Sequence, residues 1–231
     1  MAVGSDLYVV MSRWAGPFAD RIEAGRELAS LLAGYAGRDD VVVLGLPRGG
    51  VPVAAEVAKA LGAALDVLVV RKLGLPSRPE LAMGAIADVG NAVEIVTNSS
   101  VLTHLSVPQA DFDAVYRREL IELRRRTAAY RGDRAPVRLT GRMVIIVDDG
   151  LATGSTMRAA VAAVRRREPS RLLVAVPVAG ADTCDELAHD VDQVICARTP
   201  DSFVAVRQGY RDFTQTSDAE VLVALEASRE R

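Results

Sequence analysis

The densest run of chemistry-bearing side chains is Asp148-Asp149-Gly150-Leu151-Ala152-Thr153-Gly154-Ser155-Thr156, preceded by the apolar quartet Val144-Ile145-Ile146-Val147. Adjacent carboxylates can accept hydrogen bonds from neighbouring hydroxyls, or hold a hard cation through oxygen. From Ala152 to Thr156 the side chains lack bulk, so backbone N–H groups can close around a phosphate at the positive end of a helix beginning there. Ser155 and Thr156 add hydroxyl donors. A solvated Asp-Asp turn with an ordinary Ser/Thr helix cap would explain the hydroxyls but not the whole run. Two better-known phosphate motifs do not fit. A nucleotide-hydrolase loop needs a lysine before the Ser/Thr, where Gly154 stands, and no G-x-G-x-x-G follows the strand.

Two further segments carry matching chemistry. Gly45-Leu46-Pro47-Arg48-Gly49-Gly50-Val51-Pro52 reads as a strand end turning through glycines into a helix, with Arg48 placed to pair with phosphate oxygens. Val70-Arg71-Lys72-Leu73-Gly74-Leu75-Pro76 puts two cations directly after a strand. Taken singly, each has a plain alternative, a strand-to-helix connection and a surface basic pair.

Together these three segments resemble the type I phosphoribosyltransferases, over about residues 41–213. The Val144–Thr156 run is similar to that family's signature for 5-phosphoribosyl pyrophosphate, with Gly150 in place of the more usual branched apolar residue. The resemblance implies that Asp148 and Asp149 hold the ribose hydroxyls and that Ala152, Thr153, Gly154, Ser155 and Thr156 hold the 5-phosphate. It implies that Pro47, Arg48, Gly49 and Gly50 form the pyrophosphate loop, with an unusual cis peptide bond around Pro47-Arg48-Gly49. Arg71 and Lys72 resemble the start of a flexible catalytic loop. With Arg48, they would neutralise the departing pyrophosphate. Mg2+ is implied as cofactor, held mainly by ligand oxygens and water, with Asp148 or Asp149 as its protein contacts. The implied partners are 5-phosphoribosyl pyrophosphate and a nitrogenous base, and relatives commonly form homodimers.

The clues to the acceptor base conflict. In the 6-oxopurine members an aspartate stands where this chain has Ala152; a small residue there resembles the adenine and orotate types, and the Asp148–Thr156 run most resembles the adenine type. Yet Pro200-Asp201-Ser202-Phe203-Val204 resembles the hood of the 6-oxopurine enzymes, where a phenylalanine stacks on the base. Phe203 could do so here, or Phe203, Tyr210 and Phe213 could pack an ordinary C-terminal cap. An enzyme transferring phosphoribose to a base is the leading expectation, with a purine slightly favoured. A regulator sensing 5-phosphoribosyl pyrophosphate and an interaction protein that retains the ligand site are the alternatives.

Positioning these segments requires an α/β fold with a mainly parallel twisted sheet flanked by helices. Val41 to Leu46, Leu65 to Val70, Met143–Val147, Leu172–Val178 and Val191–Cys196 read as buried strands. Helices are expected over Phe18–Leu32, Val51–Leu61, Pro108–Tyr130, Ser155–Arg167, Ala181–His189 and Asp218–Glu226. Arg71 to Met83, with Gly74, Pro76 and Pro79, reads as a mobile loop. Gly84 to Val89 and Ala92 to Val96, flanking Gly90-Asn91, read as an antiparallel flap. A single domain over 1–231 is expected, with a core at about 38–198 and a small hood at about 199–231 joined by the N-terminal helix. In the long helix, Arg117-Arg118 and Arg124-Arg125-Arg126 interleave with Glu119 and Glu122, the pattern of a solvated face.

Composition narrows the partners. The 231 residues include 28 Lys and Arg against 30 Asp and Glu, so no general pull toward nucleic acid is expected. No run approaches the roughly 18 apolar residues of a membrane span, and Met1 to Met11 lacks the pattern of a secretory leader. A cytoplasmic protein is the expectation. Cys184 and Cys196 are far from CxxC spacing, and with His104 and His189 they make no His/Cys metal motif. Both thiols are expected to be reduced and structural.

Overall fold

The structure is a computed structural model that describes residues 8–90 and 92–228. Most of the N-terminal run read above, the second turn residue Asn91, and residues 229–231 lie outside it.

Strands of near-continuous valine, leucine and isoleucine have no polar face to turn to water, so the sheet they form must be covered on both sides. β2 (Val41–Gly45) and β7 (Met143–Val147) are buried at every position. They pair in parallel register, Val43 opposite Ile145 and Gly45 opposite Val147. Side chains alternate between faces. Val41, Val43, Ile145 and Val147 point to the face covered by α1 (Arg21–Leu31) and α2 (Gly50–Leu61). Val42, Leu44, Val144 and Ile146 point to the face covered by α5 (Ser155–Arg165) and α6 (Ala181–Ala188).

With β1 (Tyr8–Arg13), β3 (Ala64–Val67), β8 (Arg171–Val178) and β9 (Gln193–Thr199), the main sheet has the order β1-β9-β8-β7-β2-β3, parallel throughout. From β2 the chain crosses to β3 in one direction, and from β7 it crosses to β8 and β9 in the other. The reversal falls between β2 and β7, so the loops leaving them diverge above a crevice where ligands of open α/β sheets bind.

A second, antiparallel sheet contains β4 (Val70–Leu75), β5 (Arg78–Val89) and β6 (Ala92–Thr97). The β5–β6 hairpin is the expected flap, turning at Gly90, whose φ is +50°. The segment from Arg71 to Met83 is a correction. It is not an irregular loop but the β4–β5 hairpin, and Val70 opens β4 rather than closing β3. Its alternation was masked by proline and glycine, which sit where the ladder is irregular. The register shifts at Gly74, whose added Cβ would lie 3.1 Å from the Cα of Pro79. Leu73 and Met83 are fully buried, which anchors the hairpin to the core.

α3 (Ser99–His104) follows the flap, and α4 (Gln109–Arg131) is the expected long helix. α3 and β1 were not foreseen: one is too short for a period to show, and the other lies in a run with little patterning. α7 (Asp218–Ala227) buries Val221 and Leu225 in the core shared with α1, α2 and α4. The segment after β9 packs on the residues that precede α1. Phe18 donates its N–H to Gly209 O at 2.8 Å and accepts from Arg211 N at 2.8 Å. Phe18, Tyr210 and Val178 form a small core of their own.

Cys184 and Cys196 are buried and form no disulfide; a hydrogen bond that the Cys196 thiol gives to Cys184, then burial, pushes Cys196 well above its ordinary value. No helix among the described residues is long and apolar enough to cross a membrane.

Gly25 lets α1 lie close on α2, since a Cβ there would sit 2.8 Å from Glu56 Cβ and 3.0 Å from Val53 O. Gly25→Ala gains helix propensity but must push the helices apart, so a net loss of roughly 1–3 kcal/mol is expected. A urea titration reads this as a lower midpoint at unchanged slope; an unchanged midpoint would mean the helices move apart at no cost.

Candidate functional site

The acid pair and the glycine loop meet at the point where the strand order reverses. β7 ends at Val147 and delivers Asp148 and Asp149 to the carboxyl edge. β2 ends at Gly45, and Leu46 N continues the pairing by donating to Val147 O at 2.9 Å. A Cβ on Gly49 would collide with the Asp149 carboxylate, 2.7 Å from its Cγ, and one on Gly50 would lie 2.8 Å from Asp148 Cα. Only glycine lets the two loops touch. The peptide bond between Pro47 and Arg48 is cis, the geometry that the resemblance implies for this loop.

After the acids, Gly154 takes a left-handed conformation, φ +64°, and caps α5 with Ser155 and Thr156 in its first turn. The backbone N–H groups of Ala152 to Thr156 donate to no partner among the described residues. Carbonyl groups in this loop are tied back: Ala152 O accepts from Thr183 Oγ1 at 3.0 Å, and Thr153 O from Arg158 Nη2 at 2.7 Å. Thr153 Oγ1 and Ser155 Oγ are 3.3 Å apart. Fixed carbonyls and free N–H groups at a helix N-terminus make a concavity suited to an anion.

Gly150 has a reason beyond departure from a pattern. A Cβ there would lie 2.7 Å from Val206 Cγ1 and 2.9 Å from Val178 O, so the hood fills the space that a branched residue would need.

Burial, then the charge of Asp149, pushes the Asp148 carboxyl well above its ordinary value. Burial raises Asp149 too, opposed chiefly by the Arg21 guanidinium. Arg21 is the main residue that sequence reasoning missed. Its Nε and Nη2 lie 2.9 and 2.8 Å from Asp149 Oδ2, and its Nη1 donates to Thr214 O at 2.8 Å. Its guanidinium carbon lies 4.2 Å from the centre of the Phe213 ring. A signal was available: a cation in the first turn of a helix is disfavoured by the dipole, so Arg21 needs a tertiary partner. Tyr210, also overlooked in this role, donates its hydroxyl to Asp149 O at 2.6 Å.

The cationic residues divide. Arg48 keeps a loose contact, Nη1 3.9 Å from Asp218 Oδ1, an oxygen that also accepts from the Tyr130 hydroxyl at 2.6 Å. Lys72 is exposed and borders a cavity of about 470 Å3 together with Pro47 and Thr156. Arg71 borders the same cavity but turns to Glu119 on α4, with Nε and Nη2 2.9 and 2.6 Å from Oε2. Phe203 lies in the hood, its ring 3.9 Å from where a Cβ of Gly180 would stand, half-buried against the hood core.

A doubly covered parallel sheet with an acid pair and glycine-bearing loops at its switch point defines an open α/β domain. The family described as the phosphoribosyl transferase domain matches residues 19–213, and the chain belongs to it. A protein of Mycobacterium tuberculosis, provisionally named a phosphoribosyl transferase, is 52% identical over 209 residues, which are 90% of this chain and 46% of that protein. The chain thus spans about half the length of the curated relatives it matches. The bifunctional protein PyrR of Brevibacillus brevis is 32% identical over 88 residues, 38% of this chain and 49% of that one. Among solved structures, TT1426 from Thermus thermophilus superposes with a TM-score of 0.79 at 41% identity, covering 90% of this chain and 97% of that one.

Two outcomes test the electrostatics. Arg21→Ala leaves the Asp149 charge without its counter-ion, and the expected cost is roughly 3–5 kcal/mol of stability, most of it recovered in Arg21→Met with Asp149→Asn. Equal losses in the single and double variants would show the pair to be uncoupled. For Asp148 the folded value is raised above the unfolded one, so the charge opposes folding as pH climbs from about 4 through the raised value. Asp148→Asn is therefore expected to raise stability at pH 7 and to lose that advantage near pH 4; the reverse trend in denaturation series would contradict this account.

Proposed function

We propose that the chain is a phosphoribosyltransferase domain that takes 5-phosphoribosyl pyrophosphate as donor, passes phosphoribose to a nitrogenous base and releases pyrophosphate. The observation that carries the reading is the contact of Gly49 and Gly50 with Asp149 and Asp148, which sets a candidate pyrophosphate loop against a candidate ribose site with no side chain between them.

In this reading the loop from Ala152 to Thr156 holds the 5-phosphate with its free N–H groups and hydroxyls. Asp148 and Asp149 accept hydrogen bonds from the ribose hydroxyls, and Arg21 favours the charged form of Asp149 and aims it. Mg2+ suits the donor set, since Asp148 and Asp149 offer oxygen alone and the described residues contain no cluster of three or more metal-binding side chains that would enclose an ion. When bound, it would neutralise charge on the pyrophosphate. The base nitrogen donates its electron pair to the anomeric carbon as the carbon–oxygen bond breaks, and that bonding pair leaves with pyrophosphate. Arg48, held only at 3.9 Å by Asp218, is free to turn to the leaving group, and the exposed Lys72 is available to it from β4. With Ala152 in place of an acid, no side chain at that position takes the ring N–H proton of the base, which passes to water. That favours an acceptor of the adenine type, with Phe203 available to stack on its face.

The protein is incubated with Mg2+, the donor and a panel of purine and pyrimidine bases, and pyrophosphate release is followed. Turnover with one base is expected; tight donor binding with no turnover on any base would replace the enzyme by a ligand-sensing protein. Asp148→Asn with Asp149→Asn is expected to weaken donor binding at least about 100-fold, the scale of two lost charge-assisted hydrogen bonds, with a native circular dichroism spectrum. Unchanged affinity would refute the site.

A further inference from the structure

The loop between α4 and β7 is pinned at both ends and leaves the N–H groups between them unused. Leu139 O accepts from Arg142 N at 3.0 Å, closing a tight turn in which Gly141 has φ +72°, and Gly141 N donates to Glu168 O at 2.9 Å. Upstream, Val137 N donates to Asp66 Oδ2 at 3.2 Å. The N–H groups of Arg138, Leu139 and Thr140, which lie between these anchors, donate to no partner among the described residues. Successive unpaired N–H groups on a fixed turn are donors in search of an acceptor.

The same three residues border a cavity of about 230 Å3, with Gly90 at the tip of the β5–β6 hairpin and Arg167 just beyond α5. No acid lines it among the described residues. Arg138 is exposed and has neither a hydrogen bond nor an ion pair among them. Arg167 is only partly satisfied. Its Nε and Nη2 are buried without a hydrogen-bond partner, although Nη2 lies 2.6 Å from Glu94 Oε1. Glu94 also accepts from Arg166 Nη1 at 3.3 Å, so one carboxylate is divided between two guanidinium groups. With Arg138, three positive charges then answer to one negative charge. An exposed arginine by itself is ordinary surface. Here it stands at the rim of a cavity that also holds idle backbone donors and a second, under-satisfied arginine, and buried donors of that kind call for an acceptor.

We propose that this cavity binds a phosphate-type oxyanion, as free phosphate or as the end of a phosphomonoester. The Arg138 and Arg167 guanidinium groups and the N–H groups of Leu139 and Thr140 would hold it. The volume lies below the roughly 300 Å3 at which pockets for drug-sized molecules begin, so it suits a phosphoryl group rather than a whole nucleotide. Guanidinium forks match the spacing of phosphate oxygens. This site is separate from the acid pair and its loops. Thr140 precedes β7 and Asp148 follows it, so the two are about 16 Å of strand apart, the rise of five residues. The donor reading and this one therefore stand or fall separately. A bound anion would tie together three segments distant in the chain: the hairpin tip, the loop before β7 and the end of α5.

Amide NMR of the full chain, titrated with inorganic phosphate against a chloride control of equal ionic strength, tests this. Saturable shifts are expected at the Leu139 and Thr140 amides. Arg138→Ala, at an exposed position, is expected to weaken that binding about tenfold, the scale of one charge-assisted hydrogen bond, and Arg138→Glu to abolish it. The Ser155 and Thr156 amides report the acid-pair site separately, and their response should be the same in the wild type and both variants. Three results would each overturn the site: shifts at Ser155 and Thr156 alone, shifts at Leu139 and Thr140 that chloride reproduces, or an unchanged midpoint in Arg138→Ala. AMP separates the two sources of the ligand. Binding at least as tight as that of phosphate assigns the end of a phosphomonoester, and weaker binding assigns the free ion.

Discussion

The close approach of two loops at the β2–β7 boundary governs the rest of the structure. Parallel pairing brings the carboxyl ends of both strands to one edge, and the reversal of winding there spreads the following helices apart. The crevice is then narrowed until Gly49 and Gly50 touch the acid pair. Any other residue at those positions would force the strands out of register or the acids out of place. Strand burial, glycine placement and the charge pair are thus parts of one constraint.

Bringing two carboxylates together and burying them carries an electrostatic cost, and the hood offsets it. Arg21 comes from the first turn of α1 and Tyr210 from the segment after β9, both meet Asp149, and Phe213 packs against the two of them. Phe18, Val178 and Tyr210 supply the apolar contact between the segment before α1, β8 and the segment after β9. Gly150 belongs to this arrangement, because its missing side chain makes room for Val206. The hood therefore acts electrostatically on the acids as well as covering them.

The flap meets the core differently. β4 and β5 are anchored through Leu73 and Met83, and Arg71 is tied to α4 through Glu119. A buried cluster closes the other end of α4: Arg131 pairs with Asp88 at 2.9 Å and with Asp66 at 3.5 Å. Charged contacts of this kind set orientation more than they add stability, since desolvation offsets most of the Coulomb gain. The β4–β5 hairpin is held in a defined pose, with Lys72 left exposed between two cavities.

Much was legible in the sequence because it is local. The strand cores at Val41–Gly45 and Met143–Val147, the helix opening at Ser155, the hairpin turning at Gly90 and the three phosphate-type segments all follow from residue type and short-range spacing. The β4–β5 hairpin was not legible, because its prolines and Gly74 suppress the alternation that buried Leu73 and Met83 would otherwise show. Arg21 and Asp149 are 128 positions apart, and Arg71 and Glu119 are 48 apart, and no periodicity links such pairs. The Asp148–Thr156 run by itself determined that the chain carries an acid pair ahead of a phosphate-type loop. Only the tertiary structure decided which cations face those acids and which acids hold the cations, because a charge finds its partner through the packing of distant elements and not through its neighbours in the chain.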